Sequence, residues 1–219
     1  MNKETRKKPW PTQAVMSQIY TQKLWGKGSG NFYSGDGSHD EHLVNPYIEV
    51  VSNFLQSFEL PLIVCDLGCG DFNVGKQLVP FCNRYKAVDI VPELIDFNRQ
   101  IFTQDNLEFF CLDISSDTLP SADCIILRQV LQHLSNDEIS KILDKLTEYS
   151  FIILTEHIPE GQFQANKDII AGQGTRLKLQ SGVDILVSPF QFTVKSNQCL
   201  LSLSPATHGG RIVTMLYEL

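Results

Sequence analysis

The stretch that decides the fold reads Val64-Cys65-Asp66-Leu67-Gly68-Cys69-Gly70-Asp71. An apolar run ends in the acid Asp66 and then turns through two glycines toward a predicted helix near Val74–Phe81. Glycine lets the backbone turn tightly and approach a ligand closely, and the amino end of a helix favours negative groups. A dinucleotide-binding fingerprint would continue with a third glycine, but Asn73 stands at that position. The stretch therefore predicts a strand, a ligand-binding loop and a helix, and it argues against a nicotinamide or flavin enzyme.

Apolar strands alternate with helices downstream of this stretch. The predicted strands are Leu62–Leu67, Tyr85–Ile90, Leu107–Leu112, Cys124–Leu127 and Ser150–Thr155, with helices near Val74–Phe81, Pro92–Phe102 and Ser135–Tyr149. Short apolar strands between helices predict a parallel sheet that is covered on both faces. Residues 157–190 lack clear periodicity and are expected to form a long connection. Two β-like runs then follow, Gln198–Ser204 and Arg211–Glu218, joined by Pro205–Gly210, which favours a hairpin and hence one antiparallel closing strand.

The first sixty residues have a different character. A helix is predicted over Thr12–Trp25, a glycine-rich stretch follows, and a second helix is expected to begin at Asn45-Pro46 and to continue to about Phe58. We predict one domain over 1–219, in which residues 1–60 form a helical cap and residues 61–219 form the core. Within the cap, Trp25–Ser38 is expected to act as a mobile lid, because it holds too many glycines for a helix.

Composition limits the class of protein. The chain has 219 residues, of which 42% are apolar and 20% charged, as is typical of a globular domain. The net charge of −7 counts against general nucleic-acid affinity, and no apolar run approaches the roughly 18 residues of a membrane helix. None of the six cysteines forms a C-x-x-C pair, and no export signal is apparent, so reduced thiols and a cytoplasmic location are expected. Several cysteines, Cys199 among them, lie in apolar runs as buried free thiols do. The oligomeric state is left open.

Polar side chains follow each of the first four predicted strands. Asp89 ends the second strand, where a carboxylate is suited to accept the hydroxyl protons of a ribose. Asp113 follows the third strand and could accept a hydrogen bond from an adenine amine. Arg128 and Gln129 follow the fourth strand. All of these positions are expected at the carboxyl ends of adjacent parallel strands, where open α/β sheets bind ligands.

The chain resembles the class I S-adenosylmethionine-dependent methyltransferases in four motifs: DLGCGDF at Asp66–Phe72, AVDI at Ala87–Ile90, LDI at Leu112–Ile114 and RQVLQHL at Arg128–Leu134. The resemblance implies a Rossmann-like, three-layer α/β/α fold. Its seven-stranded sheet would be mostly parallel, in the order 3-2-1-4-5-7-6, with an antiparallel final strand. It also implies S-adenosylmethionine as cofactor, with the glycine loop at its methionine part, Asp89 at the ribose, and Asp113 with Ile114 at the adenine. The residues predicted to bind the cofactor are Asp66, Gly68, Cys69, Gly70, Asp89, Ile90, Asp113, Ile114, Arg128, Gln129 and Trp25.

The activity implied is methyl transfer to oxygen or nitrogen of a small or medium-sized acceptor. Arg128, Glu156 and His157 are the catalytic candidates, because Glu156 and His157 follow the fifth strand and are expected to face the same cleft. His157 is equally consistent with a base and with a residue that orients the loop, whereas His133 is read as structural or as a wall of the cofactor pocket. Arg176 is either an anion ligand or a surface arginine.

Three alternatives stay open at this point. A methyltransferase of the same fold could act on RNA or protein, and a methyltransferase-like module could bind the cofactor without turnover. An NAD-dependent oxidoreductase would use the same glycine turn and Asp89. The cluster His39-Asp40-Glu41-His42 is interpreted as solvated charge, so no metal site is predicted.

Overall fold

A computed structural model describes residues 9–28, 30–206 and 209–219. It contains a seven-stranded sheet in the order β3-β2-β1-β4-β5-β7-β6. The first five strands are parallel, and β7 runs antiparallel to both β5 and β6. The strands are β1 Ile63–Leu67, β2 Arg84–Asp89, β3 Leu107–Cys111, β4 Cys124–Arg128, β5 Phe151–Ile158, β6 Ser196–Leu203 and β7 Arg211–Glu218. The predicted fold class, strand order and reversed strand are confirmed.

The register of the sheet brings the polar strand ends together. Asp66 on β1 pairs with Ala87 on β2 and with Ile126 on β4. Because β1 lies between these two strands, the glycine turn that follows it lies between the ends of β2 and β4. Those ends carry Asp89 and Arg128 respectively.

Among the described residues, four α-helices accompany the sheet, and they are α1 Thr12–Thr21, α2 Glu41–Leu55, α3 Pro92–Ile101 and α4 Asn136–Leu146. The starts of α3 and α4 follow known helix-start preferences. The predicted capping box is present before α4, where Ser135 and Glu138 satisfy each other's backbone N–H groups. Proline opens α3 at its first position, where a missing N–H costs nothing.

Two of the predicted helices differ in the structure. The segment Val74–Phe81 forms two 3₁₀ turns, Gly75–Gln77 and Val79–Phe81, because Pro80 cannot donate within a helix and its ring opposes a continuous turn. The second cap helix begins at Glu41 rather than at Asn45. Its cap is Asp40, whose side chain accepts a hydrogen bond from the His42 N–H, so that Pro46 lies inside the helix.

The cap residues belong to the same core as the sheet. On one face, Met16 and Ile19 of α1 pack in a cluster with the apolar side of α4, and on the other face Tyr47, Val51 and Leu55 of α2 pack against β1 and β2. The two faces of the sheet are thus both covered, which gives three layers.

Two further features of the fold are the lengths of its helices and the state of its cysteines. Across residues 9–28, 30–206 and 209–219, no helix is long and apolar enough to cross a membrane. All six cysteines are free thiols. The expectation that Cys199 is buried is wrong, because it lies on β6, the outermost strand of the sheet, and is exposed.

Candidate functional site

A cavity of about 340 Å³ lies at the carboxyl ends of β1 to β4. Its walls come from the loops that follow these strands, from α1 and from the glycine-rich stretch after α1. This is the edge where open parallel sheets bind ligands, and the volume falls within the roughly 300–1,000 Å³ of small-molecule sites. All predicted cofactor-binding residues except Asp66 line the cavity.

The glycine loop after β1 has a backbone that side chains would disturb. Gly68 has φ 84° and Gly70 has φ 58°, both in the left-handed region. A Cβ at Gly68 would overlap with Val130, and one at Gly70 would overlap with the Ser34 hydroxyl. The loop is fixed from behind, since the amides of Gly68 and Cys69 donate to the Val88 carbonyl at 2.8 and 2.9 Å. Glycine at these two positions therefore allows both the left-handed turn and the close contact with Val130 and Ser34.

Asp89 is a buried carboxylate on the cavity wall. Its Oδ2 accepts a hydrogen bond from the Gly70 N–H at 3.0 Å, and its Oδ1 accepts one from the Val91 N–H at 3.1 Å. Burial raises the pKa of the Asp89 carboxyl, while these N–H donors act to lower it. Each oxygen has a second lone pair, so Asp89 can still accept from two neighbouring hydroxyl groups.

The segment after β3 forms the next part of the wall. Ile90, Leu112, Asp113 and Ile114 all line the cavity. One oxygen of Asp113 accepts from the N–H and the hydroxyl of Ser115, at 2.8 and 2.7 Å, which fixes the turn. The wall thus combines apolar side chains with a fixed acceptor, as a planar heterocycle with an amine would require.

Arg128 lines the cavity and brings a guanidinium group to its wall. It donates to the Gly37 carbonyl at 2.6 Å and to the Ser38 hydroxyl at 3.4 Å, and it stacks over the Tyr47 ring at 4.8 Å. Its Nε atom is buried and has no hydrogen-bond partner. A buried, unpartnered donor of a cationic group suits an anionic ligand group at this position.

The predicted lid spans residues 25–38, of which residue 29 lies outside the described residues, and its described part is docked on the glycine loop. The Ser34 N–H donates to Asp71 Oδ2 at 2.9 Å, and the Asp71 N–H donates to the Ser34 hydroxyl at 2.8 Å. His39, directly after the lid, lies 2.6 Å from the same carboxylate oxygen. Ser34 and Gly35 to Ser38 line the cavity, as does Trp25. The lid therefore closes one side of the cavity.

Asp66 lies beneath the cavity rather than on its wall. Its Oδ2 accepts a hydrogen bond from the Tyr85 hydroxyl at 2.9 Å. Burial raises the pKa of Asp66 to about 7, and the Tyr85 hydrogen bond partly opposes that shift. Asp66 thus does not line the cavity predicted to hold the cofactor, because it is the last but one residue of β1 and lines a smaller space under the glycine loop.

Glu156 and His157 do not face the cleft as predicted. Strand β5 continues to Ile158, so both residues are still paired with β7, opposite Val213 and Ile212. Glu156 Oε1 accepts from the Leu131 N–H at 3.1 Å, and His157 Nε2 lies 2.9 Å from the Gly209 carbonyl. Burial raises the pKa of Glu156 to about 8. Neither side chain lines the cavity.

The imidazole that does line the cavity is His133, together with Gln132. His133 Nδ1 lies 3.1 Å from the Gly172 carbonyl, and its ring contacts Trp25 at a centroid distance of 5.2 Å. Burial lowers the pKa of His133 to about 4, so the ring is neutral at pH 7. Because Nδ1 faces carbonyl acceptors, it carries the proton, and Nε2 is left as an acceptor. The available sequence signal was its place in the RQVLQHL motif, in the turn that follows β4.

Arg176 is neither a surface arginine nor an anion ligand. It is 1% exposed and donates to the carbonyls of Leu131 and Leu134, at 3.0 and 2.7 Å. In the part of the chain that the structure describes, no group of three His, Cys, Asp or Glu side chains is arranged to hold a metal. Within the cluster His39–His42, His39 pairs with Asp71 and Asp40 caps α2.

Comparisons with known proteins agree with this geometry. Residues 64–149 match a protein-family model described as a methyltransferase domain. Over 78 residues the chain is 32% identical to the malonyl-[acyl-carrier protein] O-methyltransferase of Acetivibrio thermocellus, which covers 35% of this chain and 28% of that protein. The chain thus matches under a third of that relative's length.

Solved structures share the fold at low sequence identity. The N-methyltransferase NodS from Bradyrhizobium japonicum WM9, in complex with S-adenosylhomocysteine, has a TM-score of 0.66 at 12% identity, covering 93% of this chain and 98% of NodS. Magnesium protoporphyrin IX methyltransferase from Synechocystis PCC 6803, with bound S-adenosylmethionine, has a TM-score of 0.60 at 16% identity, covering 98% and 100%. Human N-acetylserotonin methyltransferase has a TM-score of 0.57 at 19% identity, covering 95% of this chain and 60% of that one.

The domain match and the shared fold cover the strands and loops that build the cavity. The chain is thus similar to methyltransferases over residues 64–149, and it shares the fold of solved S-adenosylmethionine-dependent methyltransferases.

Proposed function

We propose that the protein is an enzyme that transfers a methyl group from S-adenosylmethionine to oxygen or nitrogen of a small or medium-sized acceptor. The observation that carries the proposal is the pairing of the left-handed glycine loop with Asp89 on the wall of one cavity. When bound, S-adenosylmethionine supplies a methyl group that its sulfonium already activates.

The residues on the cavity wall fit this cofactor. The free lone pairs of Asp89 suit the two ribose hydroxyls, and the turn at Asp113 and Ile114 suits an adenine ring. The glycine loop exposes Gly68, Cys69 and Gly70 to the cavity, where the methionine part of the cofactor would lie. The unpartnered Nε of Arg128 supports binding of the methionine carboxylate.

The acceptor is proposed to bind on the side of the cavity formed by Trp25, Gln132, His133, Gln173 and Thr175. Methyl transfer mainly requires that the acceptor be held in line with the methyl carbon, and these side chains supply hydrogen bonds and a ring surface for that purpose. The neutral His133 ring and the Gln132 amide form part of the surface against which the acceptor would be held. The docked lid excludes water from the same space.

Two features support a small acceptor. The cavity is bounded by the lid, and its volume of about 340 Å³ suits a small molecule rather than a folded macromolecule. N-acetylserotonin and magnesium protoporphyrin IX, named for two of the structural neighbours, are small molecules. The six free thiols support a reducing compartment, and we propose the cytoplasm.

Calorimetry with S-adenosylhomocysteine, NAD and NADP tests cofactor choice. We expect S-adenosylhomocysteine to bind with micromolar or tighter affinity and both nicotinamide nucleotides to show no binding. Binding of NAD but not of S-adenosylhomocysteine would replace the proposal by an oxidoreductase.

A second measurement tests turnover. The protein is incubated with S-adenosylmethionine and pools of phenols, hydroxy acids, amines and RNA, and formation of S-adenosylhomocysteine is followed by mass spectrometry. Product formation with one small-molecule pool is the expected result. Tight cofactor binding with no product from any pool would favour a non-catalytic module, and product only with RNA would favour a macromolecular acceptor.

A further inference from the structure

A long segment that the sequence leaves without periodicity is tied to the turn that carries Gln132 and His133. This segment, the β5–β6 connection, comprises residues 159–195, and the turn comprises Leu131–Leu134 after β4. Three of the four carbonyls of the turn accept hydrogen bonds from the connection. Arg176 donates to Leu131 at 3.0 Å and to Leu134 at 2.7 Å, and the Gly172 N–H donates to His133 at 2.9 Å.

Arg176 is held from both sides. Its guanidinium is 1% exposed, and besides the two turn carbonyls it donates to the Lys167 carbonyl at 3.0 Å and to Asn136 Oδ1 at 2.8 Å. Four hydrogen bonds from one planar group fix its orientation. Because two acceptors lie in the turn and one lies at the start of α4, the guanidinium sets the position of the turn relative to that helix.

Glu156 completes the arrangement from the sheet. Glu156 is 3% exposed, and its carboxyl oxygen Oε1 accepts from the Leu131 N–H at 3.1 Å, while Arg176 donates to the carbonyl of the same residue. Leu131 therefore has both backbone groups held by buried ionisable side chains that come from two different elements. Ordinary packing would not require two such groups in the core, because each is costly to remove from water.

The turn Leu131–Leu134 also carries His133, whose imidazole ring lies on the acceptor side of the cavity and is fixed there by its neighbours. His133 Nδ1 lies 3.1 Å from the Gly172 carbonyl and 3.3 Å from the Gly174 carbonyl, both in the same connection as Arg176. Gln132 Oε1 accepts from the His157 N–H at 3.2 Å, so its Nε2 faces His133 Nε2 at 3.3 Å as a donor. Both contacts favour the tautomer in which Nδ1 is protonated and Nε2 accepts.

We infer that Arg176 and Glu156 are positioning residues, which fix the turn Leu131–Leu134 so that Gln132 and His133 keep one orientation on the acceptor side of the cavity, with His133 protonated at Nδ1. Because it concerns that side of the cavity, the inference rests on the proposed function. Glu156 then acts through the turn and not on the substrate, which explains its distance from the cavity wall. The β5–β6 connection is thereby a built part of the acceptor site.

Ring nitrogen NMR of His133 tests the inference without any acceptor. The chain contains five histidines, so ¹⁵N-histidine protein is compared with its His133→Gln variant to assign the ring signals, with and without saturating S-adenosylhomocysteine. In the wild-type protein we expect one neutral tautomer, protonated at Nδ1, between pH 5 and pH 8. In Arg176→Met we expect a mixture of tautomers and protonation of the ring within pH 5–7, because the turn loosens and a neighbouring positive charge is lost.

Two further variants separate positioning from simple stability. Arg176→Lys keeps the charge and one donor, so it should restore most of the wild-type spectrum. Arg99→Met is the matched control, since Arg99 also donates to a backbone carbonyl, that of Phe109 at 2.8 Å, away from the cavity. It should leave the His133 signals unchanged.

The outcomes are distinguishable from those of the proposed function. If Arg176→Met does not fold, Asn136→Ala removes one guanidinium acceptor and should shift the His133 signals in the same direction. Unchanged tautomer and titration of His133 in every folded Arg176 and Asn136 variant would overturn the inference. Failure of the wild-type protein to bind S-adenosylhomocysteine would instead count against the proposed function, while the ring spectra would still report on the turn.

Discussion

Two backbone N–H groups, those of Gly70 and Val91, converge on the carboxylate of Asp89 and still leave each oxygen one acceptor position. We therefore expect Asp89→Ala to weaken binding of S-adenosylhomocysteine roughly 10- to 150-fold, equivalent to about 1.5–3 kcal/mol for hydrogen bonds to a charged group. Calorimetry measures the change. Asp105→Ala, which removes an exposed carboxylate, is the control and should bind as the wild-type protein does. Affinities of Asp89→Ala and wild type within about twofold would make Asp89 a structural acid only.

Asp66 predicts a specific pH dependence of stability. Burial raises its pKa to about 7 in the folded protein, from the ordinary value of 3.8. The folded state thus binds a proton that the unfolded state releases, and the free energy of unfolding contributed by Asp66 falls as the pH rises from 4 to 7. In Asp66→Asn this part of the decline should be absent. Urea unfolding at a series of pH values, with Asp105→Asn as control, measures it. Equal slopes for Asp66→Asn and wild type would contradict the raised pKa.

The side chains in and around the site differ in whether the local sequence is sufficient to predict where they lie. The placement of Asp89, Asp113 and Arg128 on the cavity wall could be predicted because each lies at or just after a strand end, in a recognisable local motif. Glu156 and His157 were misplaced because β5 continues to Ile158, a length that pairing with β7 determines and that the local sequence does not. The role of Arg176 depends on contacts across more than forty residues, which a single sequence does not reveal.

At the level of elements, the glycine loop allows strain and collision to be measured separately. Gly68→Ala should lower the free energy of unfolding by about 1–3 kcal/mol from the positive φ, with a further loss from the collision with Val130. Gly161→Ala has a positive φ of 72° but open space around it, so it should show the strain alone. The double variant Gly68→Ala with Val130→Ala should recover the collision part. Urea unfolding of Gly68→Ala equal to that of wild type would show that the loop does not need glycine there.

The lid is the element whose order we expect to depend on ligand. It is joined to the glycine loop by the two hydrogen bonds between Ser34 and Asp71, and the Ser34 hydroxyl also contacts the Tyr20 hydroxyl at 2.9 Å. Amides of residues 30–38 should gain protection from hydrogen exchange when S-adenosylhomocysteine binds. Ser34→Ala should raise exchange in the unliganded lid, whereas Ser57→Ala, at the exposed end of α2, should not. Exchange that is the same with and without ligand would exclude a lid role.

Element boundaries show where local sequence is sufficient. The start of α4 was predicted because the Ser135 and Glu138 capping box is complete within four residues. The segment Val74–Phe81 was predicted as one helix from its apolar spacing, but Pro80 and the close packing of Gly75 against Phe72 divide it into 3₁₀ turns. The start of α2 was predicted five residues late, with Asn45 rather than Asp40 as the cap, because the Asn45-Pro46 pair imitates a helix start.

For the molecule as a whole, the strand order was predicted from the resemblance to the methyltransferase family. The closing hairpin was predicted from the two β-like runs near the end of the chain and the short turn between them. Nothing local specifies that α1 and α2 lie on different faces of the sheet, since that follows from which apolar surface each helix covers. The division into a cap of residues 1–60 and a core of residues 61–219 is a proposal about chain order rather than about separate folding units. The shared clusters make cooperative unfolding of both parts the expectation.

Leu55 and Leu60 allow that cooperativity to be tested within the intact chain. Leu55, at the end of α2, is 1% exposed in the core cluster, whereas Leu60 is 81% exposed. Leu55→Ala should lower the free energy of unfolding by about 2–5 kcal/mol, and Leu60→Ala should leave it nearly unchanged. In a Trp10→Phe background, Trp25 fluorescence reports on the cap, and far-ultraviolet circular dichroism reports mainly on the sheet and helices. Because α1 and α2 pack against opposite faces of the same sheet, both signals should change at the same urea concentration, and Leu55→Ala should shift both midpoints equally. A fluorescence transition at lower urea than the dichroism transition, or a Leu55→Ala shift confined to one signal, would show that the cap unfolds by itself.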